Sequence, residues 1–185
     1  MIGYAICGSF CTHASSLEAL RLIAAKYDVL PILSGSASST DTRFGTARDL
    51  IDTVTGITGH TPVITIKDAE PLGPKTPLDA LVISPCTGNT LAKIACAITD
   101  TPVTMAAKAH LRADRTLLLA LASNDALAAN LSNIGTVLGR KNIFFVPMRQ
   151  DDVVSKPHSL VADFTRVPEA LEAAMTGRQL RPLFL

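Results

Sequence analysis

The sequence predicts an α/β fold, a doubly wound and mostly parallel sheet of about six strands flanked by helices. Three observations predict it. Asp79 to Thr90 reads as a buried strand, a polar turn and a helix; the same unit recurs along the chain; and Leu117 to Ala122 is a second wholly apolar run. Apolar runs with no polar alternate face belong to strands covered on both sides, as inside a parallel sheet.

The chain opens with an apolar strand, Ile2 to Cys7, and the glycine-led turn Gly8 to Thr12. Ala14 to Lys26 then carries Leu17, Leu20, Ile23 and Ala24 on one helical stripe. Asp28 to Leu33 is the second strand, running into the hydroxyl-rich segment Ser34 to Thr42. A helix capped by Asp41 or Thr42 follows, with Phe44, Ala47, Leu50, Ile51 and Val54 at helical spacing before Gly56. Thr61 to Ile66 alternates weakly and predicts a short third strand. Lys67 to Pro77 holds three prolines and a glycine, and so predicts a loop that cannot be helical.

Leu81, Val82 and Ile83 form the central strand, which Pro85 ends; Thr87 and Gly88 supply a turn, and Leu91, Ile94, Ala95 and Ile98 recur as a helix. A helix from Val103 to Leu111 comes next, then a strand from Arg115 to Ala122. Ser123-Asn124-Asp125 is a second polar loop, followed by a helix from Ala126 to Leu138 and a last strand, Ile143 to Val146. Residues 147–166 show no apolar period and predict a long polar loop over a cleft or a neighbouring protomer. Residues 167–185 predict a helix, Val167 to Ala174, stopped at Gly177, and a tail; one domain should span residues 1–185.

Composition narrows the function. With 185 residues, 48% hydrophobic and 18% charged, the chain can bury a large core and more surface between protomers, so a homo-oligomer is expected. A net charge of +1 without a basic run leaves no footprint for nucleic acid. There is no apolar stretch of membrane-spanning length and no signal-peptide pattern, which predicts a cytoplasmic protein. Cys7, Cys11, Cys86 and Cys96 lack CxxC spacing, so neither a metal site nor a redox pair is indicated.

In doubly wound sheets ligands sit outside the carboxyl ends of the strands. The first loop, with Gly8, Ser9, Phe10 and Thr12, can hold a phosphate on amides and hydroxyls, and Ser34 stands at the neighbouring strand end. No GxGxxG is present, so a mononucleotide phosphate fits better than a dinucleotide. Asn89 and Asn124 each follow a strand and can reach one cleft; local capping is the alternative for each.

Taken together, the GSF turn, the hydroxyl-rich loop, PCTGNT and LASNDALAAN resemble the flavin-containing cysteine decarboxylase superfamily. Within it, TDTRFG, AEPLGPK, LDALVISPCTGNTLAKIA, ITDTPVTMAAKAHLR, NDALAANLSNIG, RKNIFFVP, QDD and KPHSLVADF resemble the family of B-type flavoprotein subunits of dipicolinate synthases. The resemblance implies a Rossmann-like sheet, bound FMN and assembly as trimers or multiples of them. By motif, Gly8, Ser9, Phe10, Thr12 and Ser34 would hold the FMN phosphate; Pro85, Thr87, Asn89 and Thr90 match the PxxxNT loop; Thr104 matches a position near the ribityl chain; and Asn124 matches the substrate clamp.

The resemblance further implies an oxidoreductase-type flavoprotein that works with the A-type partner of dipicolinate synthase. The pair would form pyridine-2,6-dicarboxylate from a dihydrodipicolinate-level precursor during sporulation. Arg43, Lys75, Arg112 and Lys156 are candidate binders of a small dicarboxylate. The decarboxylases carry a catalytic His at a point near Glu70 or Pro71, where none of His13, His60, His110 and His158 lies. Glu70 is the candidate general base in its place, if burial sets its pKa; otherwise it is an ordinary loop carboxylate. The alternatives are a non-catalytic scaffold that binds flavin or regulates its partner, or a decarboxylase-like or prenyltransferase-like enzyme.

Overall fold

The apolar runs pair side by side. In the computed structural model, which describes residues 1–73 and 75–185, β1 (Ile2–Ile6) lies parallel to β2 (Val29–Leu33) on one side and to β3 (Ala80–Cys86) on the other. β4 (Thr116–Ser123) runs parallel to β3 and carries β5 (Ile143–Phe145) in parallel along its first half. An antiparallel pair, β6 (Met148–Arg149) and β7 (Leu160–Ala162), joins the far end of β4. Among the described residues the sheet has seven strands, in the order β2-β1-β3-β4-β7-β6 with β5 beside β4.

The flanking helices are α1 (His13–Ala24), α2 (Gly35–Ser39), α3 (Ala47–Thr58) and α4 (Ile66–Ala69) in the first half of the chain. The second half supplies α5 (Gly88–Ala95), α6 (Pro102–Leu111), α7 (Leu131–Leu138) and α8 (Val167–Met175). Strand alternation sends successive side chains to opposite faces. Leu81, Ile83, Leu117 and Leu119 meet α5, α6 and α7, whereas Tyr4, Ile6, Val82 and Leu118 meet α1, α3 and α8. Every residue of β3 is buried, which is why its sequence shows no polar alternate. Each fully buried Leu or Ile contributes about 1.5–3 kcal/mol, so these two layers dominate the stability.

One buried polar chain crosses the second of these layers. The Tyr4 hydroxyl donates to the Ser16 carbonyl at 2.8 Å, and Ser16 Oγ donates to the Ser84 carbonyl at 2.5 Å, tying β1, α1 and β3 together. Burial pushes the Tyr4 phenol up to about 12, against the pull of its Ser16 bond.

The structure departs from the sequence expectations at several loops, each for a local reason. Part of Ser34 to Thr42 is the short helix α2, because Ser34 Oγ accepts from the Ala37 amide at 3.2 Å. The next helix begins at Ala47, not near Asp41, since Thr46 and Asp49 form a capping box; Asp41 accepts from the Ala47 amide at 2.9 Å instead. It also runs through Gly56 and stops at Gly59, which has φ 73°. The expected third strand is only a bridge between Val63 and Ile32, because Thr65 caps α4 and turns the chain away.

The stretch Lys67 to Pro77 is therefore helical at its start: α4 leads into a 3-10 turn, Glu70–Leu72, whose Pro71 falls in the first turn where no amide is needed. Pro74, in the same stretch, lies outside the described residues. Pro85 does not end β3, which continues to Cys86 through a register shift between Ile83 and Cys86. α5 stops at Ala95, short of Ile98: Ala97 is left-handed at φ 57°, and Arg140 donates to the carbonyls of Ile94 and Ala95 at 2.9 and 2.6 Å. α7 begins at Leu131 rather than Ala126, because the Asp125 carbonyl accepts from the Ala128 and Asn130 amides and coils the chain into turns. Residues 147–166 are not one long loop, for Leu160 and Ala162 are buried as β7.

Two consequences are measurable. A Cβ at Gly73 would meet the Ala109 carbonyl of α6, so Gly73→Ala should lower stability by about 1–3 kcal/mol, seen as a lower urea midpoint at unchanged slope. His110 is fully buried on α6, with Nε2 at 2.7 Å from the Thr116 carbonyl and Nδ1 without a partner among the described residues. Burial holds its pKa below the usual histidine value. The unfolded chain then takes up this proton first, so stability present at neutral pH is lost as pH falls below about 6.5. The difference in urea midpoint between neutral and acid pH should shrink in His110→Gln; an unchanged difference would exclude His110 as a source.

Candidate functional site

Because β2, β1, β3 and β4 are neighbours and parallel, their carboxyl ends share one rim. The segments that leave it are Cys7 to Thr12, Ser34 with α2, Thr87 to Thr90, and Asn124 with Asp125. Direct contacts lock them together. The Cys7 amide donates to the Pro85 carbonyl at 3.2 Å, and Thr90 Oγ1 donates to Cys7 Sγ at 3.3 Å. A Cβ on Gly8 would lie 3.2 Å from the Ser36 Cβ, and one on Gly88 would lie 2.5 Å from Ser123 Oγ. Farther along, the Leu127 amide donates to the His158 carbonyl at 2.9 Å, bringing the 147–166 segment over the β4 loop.

The rim divides by available donors. Thr12 Oγ1 donates to the Ser9 carbonyl at 2.8 Å, so its proton is committed, whereas Ser9 Oγ keeps its own. Ser34 Oγ likewise only accepts, leaving its proton free. Among the described residues, the amides of Gly8, Ser9 and Phe10 have no partner. On the β3 side the hydroxyls are occupied: Thr87 donates to Thr90 at 3.1 Å, and Thr90 to Cys7. Asn89 and Asn124 are exposed, and their side chains make no hydrogen bond among the described residues. The two buried thiols at the rim, Cys7 and Cys86, are inert. Burial pushes Cys7 up to about 11 and Cys86 well above its ordinary value.

Asp125 was not singled out by sequence, and it organises the β4 loop. Its Oδ1 accepts from the Ser123 hydroxyl and, at 2.9 Å, from the Asn130 amide; Asn130 in turn accepts from Asn133 at 2.9 Å. The Ser123 bond first, and the Asn130 bond after it, hold the carboxyl below the usual carboxylate range. Its oxygen would stand 2.9 Å from a Cβ on Gly88, the first residue of α5. The carboxylate thus compensates that helix start, while the unpartnered amides and hydroxyl protons lie in the β1 and β2 loops. Asn130 carried the only sequence hint: an amide inside an apolar stretch.

The rim therefore gathers Gly8, Ser9, Phe10, Thr12, Ser34, Pro85, Thr87, Asn89, Thr90 and Asn124. The other predicted residues form no hydrogen bond with these. Glu70 is exposed on the 3-10 turn, without the burial that the base role supposed. Thr104 is buried in the capping box of α6, bonded to the Thr101 amide at 3.1 Å, and shares a cavity of about 340 Å³ with Arg112. Lys75 is exposed before β3. Lys156 pairs with Asp151 at 2.6 Å, and the Arg43 guanidinium lies 4.8 Å from the Phe44 ring centroid.

The model of the family described as Flavoprotein matches residues 14–165. The dipicolinate synthase B subunit of Bacillus subtilis (strain 168) is 40% identical over 185 residues, covering 100% of this chain and 92% of that protein. The crystal structure of the dipicolinate synthase B subunit from Bacillus halodurans C is 41% identical, with a TM-score of 0.90 over 100% of this chain and 95% of that one. An FMN-dependent cysteine decarboxylase, SpaF, shares the fold at a TM-score of 0.66 and 22% identity, over 95% and 94% of the two chains. Matched over most of its length by the family model and over all of it by these relatives, the chain belongs to the Flavoprotein family, together with the B subunits of dipicolinate synthase.

Proposed function

We propose that the chain binds FMN and, with the A-type partner of dipicolinate synthase, forms pyridine-2,6-dicarboxylate from a dihydrodipicolinate-level precursor during sporulation. The observation that carries this is the division of the rim, with free donors at Ser9 and Ser34 and free amides at Asn89 and Asn124, in a chain 40% identical to a dipicolinate synthase B subunit. The donor set fits the group. Ser9, Ser34 and the Gly8 to Phe10 amides suit a dianionic phosphate, while the Asn89 and Asn124 amides suit the edge of a neutral ring.

Thr12, Thr87, Thr90 and Pro85 act by shaping the loops, because their polar groups are committed within the chain or absent. Bound there, FMN would supply a two-electron acceptor, which aromatising a dihydropyridine requires. The protein's part is to position the substrate and keep water away. Arg43, Lys75, Arg112 and Lys156 remain the candidate carboxylate binders, and Thr104 the candidate ribityl neighbour. A single domain, a cytoplasmic homo-oligomer of trimers or their multiples, and no nucleic-acid partner complete the proposal. No helix among the described residues is long and apolar enough to cross a membrane.

A second assignment is favoured by one observation, the exposure of Glu70 with no histidine in its place. The chain would then hold flavin while dehydrogenation resides in the A-type partner. Purified chain titrated with FMN should gain the bound-flavin visible spectrum, and Ser9→Ala with Ser34→Ala should weaken that binding by about tenfold or more. A titration that leaves the flavin spectrum unperturbed overturns the FMN assignment. Assaying the two proteins separately and mixed distinguishes the roles: product from this chain with FMN alone excludes the scaffold. Asn89→Ala and Asn124→Ala should abolish flavin-dependent product formation, and unchanged turnover would remove both from the site.

A further inference from the structure

The segment between β6 and β7 contains a turn, Asp151 to Lys156, in which residues 153–156 are all exposed. Asp152 Oδ1 accepts from the Val154 and Ser155 amides at 3.0 and 2.9 Å, and the Asp152 carbonyl accepts from the Lys156 amide at 2.9 Å. An ion pair of 2.6 Å between Asp151 and Lys156 closes the turn. At its tip Val153 and Val154 are 62% and 85% exposed. A lone exposed apolar residue is ordinary, but two in a row on a turn ordered by its own bonds form a small knob that needs no further ordering to dock.

The cavity of about 340 Å³ between the end of α5 and α6 has the complementary character. Ile94, Ile98 and Leu111 give it an apolar wall, Lys108, Arg112 and Arg140 surround that wall, and no carboxylate among the described residues lines it. Lys108 and Arg112 form no ion pair among the described residues. Ile98 is 46% exposed. The turn carries the opposite charge, with Asp151 and Asp152 against the single Lys156. Bonds from Ser155 first, and from the Val154 amide after it, hold the Asp152 carboxyl below the usual carboxylate range. α5 begins at the rim and ends in the cavity wall, whereas the turn belongs to the segment over the β4 loop, so turn and cavity lie at opposite ends of that helix.

An acid-flanked apolar knob and a cation-ringed apolar cavity on one chain match in polarity and in charge. We infer that the Val153 and Val154 turn of one copy docks in the α5–α6 cavity of a second copy, with Asp151 and Asp152 toward Lys108 and Arg112. Burying the valines supplies the attraction, and the opposed charges fix the register and disfavour wrong partners. A contact between two unlike surfaces can repeat from copy to copy until a ring closes. The inference rests on the proposed homo-oligomer and names the surfaces that build it.

Sedimentation of the full chain over a concentration series tests it, with Val154→Lys placing a cation at the tip and Ile98→Asp an anion in the cavity. Each variant should raise the dissociation constant of the assembly by about tenfold or more. Both positions are exposed, and thermal melts matching the parent confirm that the variants are folded. In an equimolar mixture each variant supplies the surface that the other has lost, so the mixed chains should associate where either variant alone does not. A contact of tip with tip, or of cavity with cavity, would not be restored by mixing, and a mixture that stays dissociated overturns the inference. An oligomeric parent whose assembly is unchanged by Val154→Lys overturns this inference alone and leaves the homo-oligomer standing. Weakening by Ile98→Asp only also overturns it, since the cavity would then seat another part of the chain. A parent that sediments as one chain overturns both, and the cavity then belongs to a different partner.

Discussion

The close approach at Gly88 governs the site. Any side chain there would collide with Ser123, Asn130 and Asp125, so only a residue without a Cβ lets the start of α5 rest on the end of β4. Two strand ends that a sheet would otherwise keep as separate loops become one wall. The Thr90 to Cys7 bond extends that wall to β1, and the Ser36 contact with Gly8 extends it to α2. Each joint of the rim is made within the chain itself.

Charge then decides which end of the rim does what. A helix start normally attracts an anion, and α5 would be the obvious place for a phosphate. Asp125 changes that by standing beside Gly88 with its charge stabilised by Ser123 and Asn130. The free donors of Ser9 and Ser34 lie at the other end. The two ends of the rim therefore differ in the charge they favour.

The strands and the rim were legible because double burial leaves an unmistakable signature: Leu81 to Ile83 and Leu117 to Ala122 are apolar without alternation, and parallel strands must put their loops on one edge. Loop interiors were not legible, because they depend on side-chain bonds that composition does not reveal. Asp41, Thr42 and Thr46 are all good caps, and only the reciprocal bond with Asp49 selects Thr46. Asn130 looked like one more helical residue because its partner, Asp125, is five positions earlier across a turn. Phe44 fitted a helical stripe by spacing alone, yet it projects from the Thr42 to Gly45 turn. Glu70 was placed by counting along the chain, which carries no information about exposure.

The outer margins of the sheet are occupied by pieces of the chain itself. Val63 exchanges backbone bonds with Pro31 and Leu33 beside β2; the Gln179 amide both donates to and accepts from the Phe145 backbone beside β5; and Leu183 and Leu185 bond Met148 beside β6. Each occupies a short stretch of a sheet edge, as an added strand would, and takes up the backbone groups it bonds. A second copy of this chain would have to displace these segments before its own strand could pair there.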